Sequence, residues 1–168
     1  MRSTKEIVIN TGPILAIVAA LGSLDILRMY RQVWVPWEVR QEVLVGGPDG
    51  FAVAEFQAAH WLRTESKPLE IAPLLANSLD PGEAAVIQLA LDKDVQTVCI
   101  DEAAGRRVAR LSGLSVAGSV GVLLRARREG YAFSMQDAIQ RMRQRGVWLS
   151  ERVVAFALGQ TNEESVHG

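Results

Sequence analysis

The side chains of this chain that could do chemistry are oxygen donors placed at the ends of apolar runs. Asn10 closes IVIN, and Asp101 and Glu102 close VQTVCI. Glu42 lies on the stretch that follows Pro36, and Glu83 follows the turn Leu79-Asp-Pro-Gly82. In an open parallel sheet, ligands gather outside the carboxyl ends of the strands, so residues there and on the following helices can meet. Carboxylates brought together repel unless a proton or a cation offsets them. A hard divalent ion does so with oxygen ligands, and Mg²⁺ keeps several waters while binding one or two carboxylates and a phosphate. Such a site activates water and polarises a phosphodiester. His60 and His167 are the only two histidines, too few for a multi-histidine centre in one chain. Mg²⁺ or Mn²⁺ is therefore the ion expected.

Each of these residues also has an ordinary role. Glu83 suits the third helical position of a capping box opened by Asp80, with Pro81 in the first turn. Glu42 suits an exposed helix position. Asp101 suits the N-cap of the helix that follows it, and Glu102 suits a first-turn acid favoured by the helix dipole. Asn10 suits a turn. Spacing alone leaves these readings open beside a metal site.

The elements that must position them follow from pattern. Lys5–Asn10, Val33–Val35, Val95–Ile100 and Leu114–Ala117 are short β-rich runs and predict strands, with Trp61–Thr64 as an edge strand. Helices are expected from Thr11 to Gly22, in a short piece capped by Ser23, over Trp37–Leu44 and over Phe51–Ala59. A helical turn is expected in Pro68–Leu75. Further helices are expected after Asp80, over Ala103–Leu111, and from Gly118 to Glu129. Ser134 is expected to cap Met135–Gln144, and Ser150 a last helix to about Leu158. Gly46–Gly50 reads as a loop. Strands alternating with helices predict an α/β fold with a mainly parallel sheet. Residues 1–132 form the domain in this reading. Residues 133–160 form a helical hairpin packed on it, and 161–168 a frayed tail.

Composition removes several classes. The chain has 168 residues, 49% hydrophobic and 22% charged, with formal net charge −1. That is too apolar and too balanced for a disordered chain, and long enough for one real core. A single cysteine, Cys99, excludes an intramolecular disulfide and a cysteine zinc site, and points to a cytoplasmic protein. The apolar run Ile14–Leu21 is far short of the about 20 residues that span a bilayer. The near-zero net charge hides an asymmetry. Residues 1–100 carry 8 Lys/Arg and 12 Asp/Glu, whereas residues 101–168 carry 10 and 7, and all ten of those bases are arginines. Arginine's planar fork of donors matches phosphate oxygens.

Taken in order, IVINTGPILAIVAALGSLDIL, VWVPWEVRQEVL, LDPGEAAVIQLAL and VCIDEAAGRRVARLSGLSVAGSVGVLLRARREG resemble the PIN-domain family. The closest resemblance is to its toxin-like branch, related to the VapC ribonucleases of toxin–antitoxin pairs. The resemblance implies a three-layer α/β/α domain whose acidic residues bind Mg²⁺ or Mn²⁺ for RNA hydrolysis. It places the family's acidic positions on Asn10, Glu42, Glu83 and Asp101, with Glu102 as a further ligand or water-orienting group and Thr11 as a supporting hydroxyl. Asparagine replaces the usual first aspartate, so the site loses one formal charge. In this reading Arg106, Arg107 and Arg110, and then Arg125, Arg127 and Arg128, hold the RNA backbone. The resemblance also implies a homodimer and a small antitoxin partner. Trp34, Trp37, Trp61 and Trp148 are core by default, with a partner groove as the alternative.

Two other functions compete with the nuclease. One is a PIN-like module that binds RNA or protein without efficient hydrolysis, motivated by Asn10. The other is a nucleotide-binding α/β enzyme, using the helix start Gly118–Gly121 for an anion. No Gly-x-Gly-x-x-Gly or Walker lysine pattern supports the latter.

Overall fold

β-Branched and apolar residues alternate with helical stretches throughout, and the chain folds as that alternation requires. The computed structural model describes residues 5–47 and 49–163. The elements run β1 (Glu6–Ile9), α1 (Thr11–Leu21), a 3₁₀ helix (Asp25–Met29), β2 (Gln32–Val35), α2 (Trp37–Leu44), α3 (Val53–Ala58) and β3 (Arg63–Thr64). They continue with α4 (Pro73–Ser78), α5 (Pro81–Lys93), β4 (Thr97–Cys99), α6 (Ala103–Leu111), β5 (Ser115–Ala117), α7 (Ser119–Arg128), α8 (Met135–Gln144) and α9 (Glu151–Gln160). The five strands form one sheet in the order β3-β2-β1-β4-β5. Every pairing is parallel, so the sheet is wholly rather than mainly parallel.

β1 lies at the centre, with Ile7 opposite Val33 of β2 and Ile9 opposite Cys99 of β4. Ile7, Val8, Ile9, Val98 and Cys99 are fully buried, as expected of parallel strands covered on both sides. One helix group packs α1 against α7 and α8, with α9 on α7 and α8. The other packs α5 against α2, α4 and α6, and α5 also touches β1 and β4. The result is the expected three-layer α/β/α arrangement. Because the sheet order reverses at β1, the ends of β1 and β4 open the crevice into which α2, α5 and α6 bring their side chains.

Most boundaries lie where capping chemistry puts them. Gly22, at φ 75°, ends α1, and Ser134 and Ser150 each accept a backbone N–H three residues on. Two segments differ from expectation. Ser23 does not cap an α-helix; its hydroxyl accepts from Asp25 N at 3.3 Å and the chain makes a 3₁₀ turn. The helical turn expected in Pro68–Leu75 begins only at Pro73. Upstream of it, Leu69 N donates to Glu38 and Ala72 N to Gln88, so side chains of α2 and α5 hold that backbone extended.

The C-terminal region is tied down. Arg141 donates to the Ala20 carbonyl at 3.2 Å, joining α8 to the end of α1. Of the tail expected to fray, Thr161–Glu163 are described, and Glu163 is held by Ser134, Met135, Gln136 and Arg127. Residues 164–168, including His167, lie outside the described residues. Among the described residues, no helix is long and apolar enough to cross a membrane.

Candidate metal centre

Three local structures bring the oxygen donors together. β1 ends at Ile9 and hands Asn10 to the start of α1, where its backbone N–H donates to the Cys99 carbonyl of β4 at 3.0 Å. Pro36 starts α2 and sets Glu42 near its end. Asp80 caps α5, its Oδ1 accepting from Glu83 N at 2.9 Å.

That cap decides between the two readings of Glu83. The Asp80 half of a capping box forms, but the Glu83 carboxylate turns away into the crevice. Glu83 is 3% exposed, and its Oε1 has no hydrogen-bond partner. The Asn10 Oδ1 is likewise buried and unpartnered, on a residue 7% exposed. Two glycines make room for these groups. A Cβ on Gly105 of α6 would lie 3.0 Å from Glu83 Oε1. A Cβ on Gly82 would collide with Glu42 Oε1 and sit 3.3 Å from Asn10 Oδ1.

Asp80, Glu83 and Glu102 each present an oxygen within 4.8 Å of the others. The electrostatics follow from that crowding. Burial, then a hydrogen bond shared with Glu102, then the charges of Asp80 and Glu102 push the Glu83 carboxyl up to about 7. Burial also raises Glu42, and Asp80 and Glu102 add to it. The Thr11 hydroxyl, which donates to Glu42 Oε2 at 3.0 Å, pulls the other way. The donor set is all oxygen, negatively charged, and left with buried unsatisfied atoms. Those are the properties a hard divalent cation requires, so Mg²⁺ or Mn²⁺ fits here. Zinc does not: His60 is exposed, and Cys99 is fully buried in β4.

Asn10, Thr11, Glu42, Glu83 and Glu102 thus meet in one crevice. Asp80 belongs with them, although the sequence reading gave it only a cap. The available signal was its spacing, because an acid three residues before another at a helix start shares that end with it. Asp101 does not join the trio. Nor does it cap its own helix, since Glu102 holds the N-cap position of α6. Its Oδ1 instead accepts from Ser119 N at 2.7 Å, at the start of α7. The Asp101 carboxylate thus occupies the N–H of Ser119 at the Gly118–Gly121 helix start.

Asp101 borders a groove of about 680 Å³ lined by Tyr30, Arg106, Ser119, Arg125, Arg128 and Trp148, among others. Three of the six arginines expected to meet RNA therefore share one groove. Arg106 also donates to the Ile100 carbonyl at 2.9 Å, and Arg125 lies 5.2 Å from the Tyr30 ring centre. Arg107 and Arg110 are exposed on α6. Arg127 is engaged elsewhere, binding the Phe133 carbonyl at 2.7 Å and Glu163 at 3.0 Å. Trp34 and Trp61 are partly buried against the core, with Arg63 and Lys93 near the Trp34 ring and Arg28 near the Trp61 ring. Trp37 is half-buried and Trp148 is 84% exposed.

No curated protein matches the chain. The PIN domain family model matches residues 6–163, which include every donor of the crevice and all six arginines. The wholly parallel sheet, the acidic crevice at the ends of β1 and β4 and this match agree: the chain belongs to the PIN domain family, a nuclease fold whose members are typically metal-dependent.

Proposed function

We propose that this protein is a Mg²⁺- or Mn²⁺-dependent endoribonuclease of the VapC-like toxin type, acting in the cytoplasm as a homodimer and restrained by a small antitoxin. One observation carries the nuclease part: the Glu83 carboxylate is buried among acids with an unpartnered oxygen. A bound divalent cation supplies charge for the phosphate and an acidified water. The protein's own groups do the rest. Asp80, Glu83 and Glu102 hold the cation, with the Asn10 amide oxygen and Glu42 beside them. Thr11 orients Glu42 through its hydrogen bond. Without the cation the Glu83 carboxyl is raised to about 7, and holding the cation requires it deprotonated. Asp101 fixes the start of α7 and borders the groove where Arg106 and Arg128 meet the RNA backbone. The exposed Trp148 offers a face for a base.

Asn10 favours a second reading, in which the same fold binds RNA or a protein with little hydrolysis. RNA cleavage with Mn²⁺ separates the two. The nuclease reading expects cleavage that is lost in Glu83→Ala and in Asp101→Ala. Cleavage that survives both substitutions defeats the site. A large gain on Asn10→Asp, from a near-silent starting protein, marks the site as degenerate.

A further inference from the structure

We infer that Asp80 supplies the metal-facing negative charge that Asn10 lacks, so that the cation site is displaced toward the start of α5 rather than lost. The inference rests on the metal-dependent reading above and assigns Asp80 a role beyond its cap. Asn10 Oδ1 is buried, unpartnered and 3.3 Å from where a Cβ on Gly82, the residue between Pro81 and Glu83, would stand. It therefore faces the same first turn of α5 that Asp80 opens, on the side where Glu42 Oε1 also arrives. An amide oxygen there can ligate a cation but brings no charge to offset it. Asp80 brings that charge from the same turn, with an oxygen within 4.8 Å of those of Glu83 and Glu102.

The cap does not exhaust Asp80. It uses Oδ1 to accept from Glu83 N and leaves the second oxygen for a cation. The residue is exposed, so the ion can be approached from solvent. A charge lost at the end of β1 and one present at the start of α5 then address the same ion.

The cap makes the test clean. Asparagine caps a helix about as well as aspartate, so Asp80→Asn removes charge while keeping α5 anchored. Mn²⁺ binding to the full chain is measured by calorimetry, with the metal-free melting temperature as the folding control. Asp80→Asn is expected to weaken Mn²⁺ binding by about 10-fold or more, in the range that perturbing a metal site costs. Asn10→Asp alone is expected to strengthen it, and Asn10→Asp in the Asp80→Asn background to restore it. Wild-type affinity in Asp80→Asn overturns the inference, as does a loss that Asn10→Asp fails to restore. Failure here is distinct from failure of the nuclease reading. In the first case wild-type protein binds Mn²⁺, and Glu83→Gln loses it while Asp80→Asn does not. In the second the wild-type protein itself binds no Mn²⁺.

Discussion

Two glutamates, Glu83 buried in the crevice and Glu163 partly exposed against α8, show how environment divides identical chemistry. Glu83 lies in the crevice beside Asp80 and Glu102, and its carboxyl is raised from 4.5 to about 7. Glu163 lies against the start of α8. Burial pushes it up too, but hydrogen bonds from Gln136 N, Met135 N, Ser134 and Thr161 bring it from 4.5 down to about 2. Arg127, 3.0 Å away, pairs with it. The protein has supplied Glu163 with donors, and Glu163 in return closes the orphan N–H groups at the helix start. It supplies Glu83 with other acids and leaves Oε1 unpartnered. A carboxylate satisfied by its own chain is structural, whereas one left among like charges has room for a cation.

The strongest way to break that contrast is to neutralise each glutamate. Glu83→Gln should lower Mn²⁺ affinity and Mn²⁺-dependent RNA cleavage by at least about 100-fold, the upper end of the cost of perturbing a metal site. Without metal it should melt no lower than wild type, because it removes repulsion. A melting temperature well below wild type would show that Glu83 is structural after all. Glu163→Ala should do the reverse. Losing charge-assisted bonds to α8 costs about 2 kcal/mol, roughly 6 °C in melting temperature for a domain this size. Mn²⁺ affinity should be unchanged, and a shared loss of both would end the distinction.

pH sharpens the same comparison. Glu83 is raised in the folded state, so its contribution to stability is full below 4.5 and is lost as pH rises through about 7. Glu163 is lowered, so its contribution is full above 4.5 and is lost as pH falls toward 2. Metal-free protein melted across this range should show both slopes, and Glu83→Gln should flatten only the upper one. Mn²⁺ needs the deprotonated carboxylate, so the melting shift it gives should grow between pH 5.5 and 8. A shift independent of pH would detach the ion from Glu83.

Smaller effects test the crevice walls and the groove. Gly82→Ala should displace the Glu42 carboxylate and cost about 1 kcal/mol of Mn²⁺ binding, at the low end of overpacking. It should leave the metal-free melting temperature nearly unchanged, since the atom displaced is the end of a flexible side chain. Arg128→Ala should weaken RNA binding about equally for all sequences. It should reduce the salt slope of binding by about 0.7, the single-strand value for one phosphate contact. An unchanged slope removes Arg128 from the RNA path.

Much of the fold was legible because its signals are local. The Asp80-Pro-Gly-Glu start of α5, the Ser134 and Ser150 caps and the β-branched runs each depend on a few neighbouring residues. α2, α6 and α8 span the expected residues. Pro68–Leu75 was misplaced because long-range acceptors, Glu38 and Gln88, took the backbone donors that a helix would have used. The cap expected of Asp101 is absent for a similar reason. Its local options were a cap or a ligand, but its nearest donor is Ser119 N, across β5 in the chain. Asp80 was passed over because its cap explained it fully at short range.

The sequence by itself determined the family's alternation of strand and helix, the presence of acids near the strand ends, and the asparagine where an aspartate was expected. Those are properties of residue type and order, and they survive without coordinates. Only the tertiary structure decided which acids share a field. Whether Glu83 completes a capping box or faces other carboxylates depends on where α6 and its Gly105 come to rest. Whether Arg127 meets RNA or Glu163 depends on how the C-terminal hairpin docks. Charge acts through distance and burial, and both are set by packing between segments far apart in the chain.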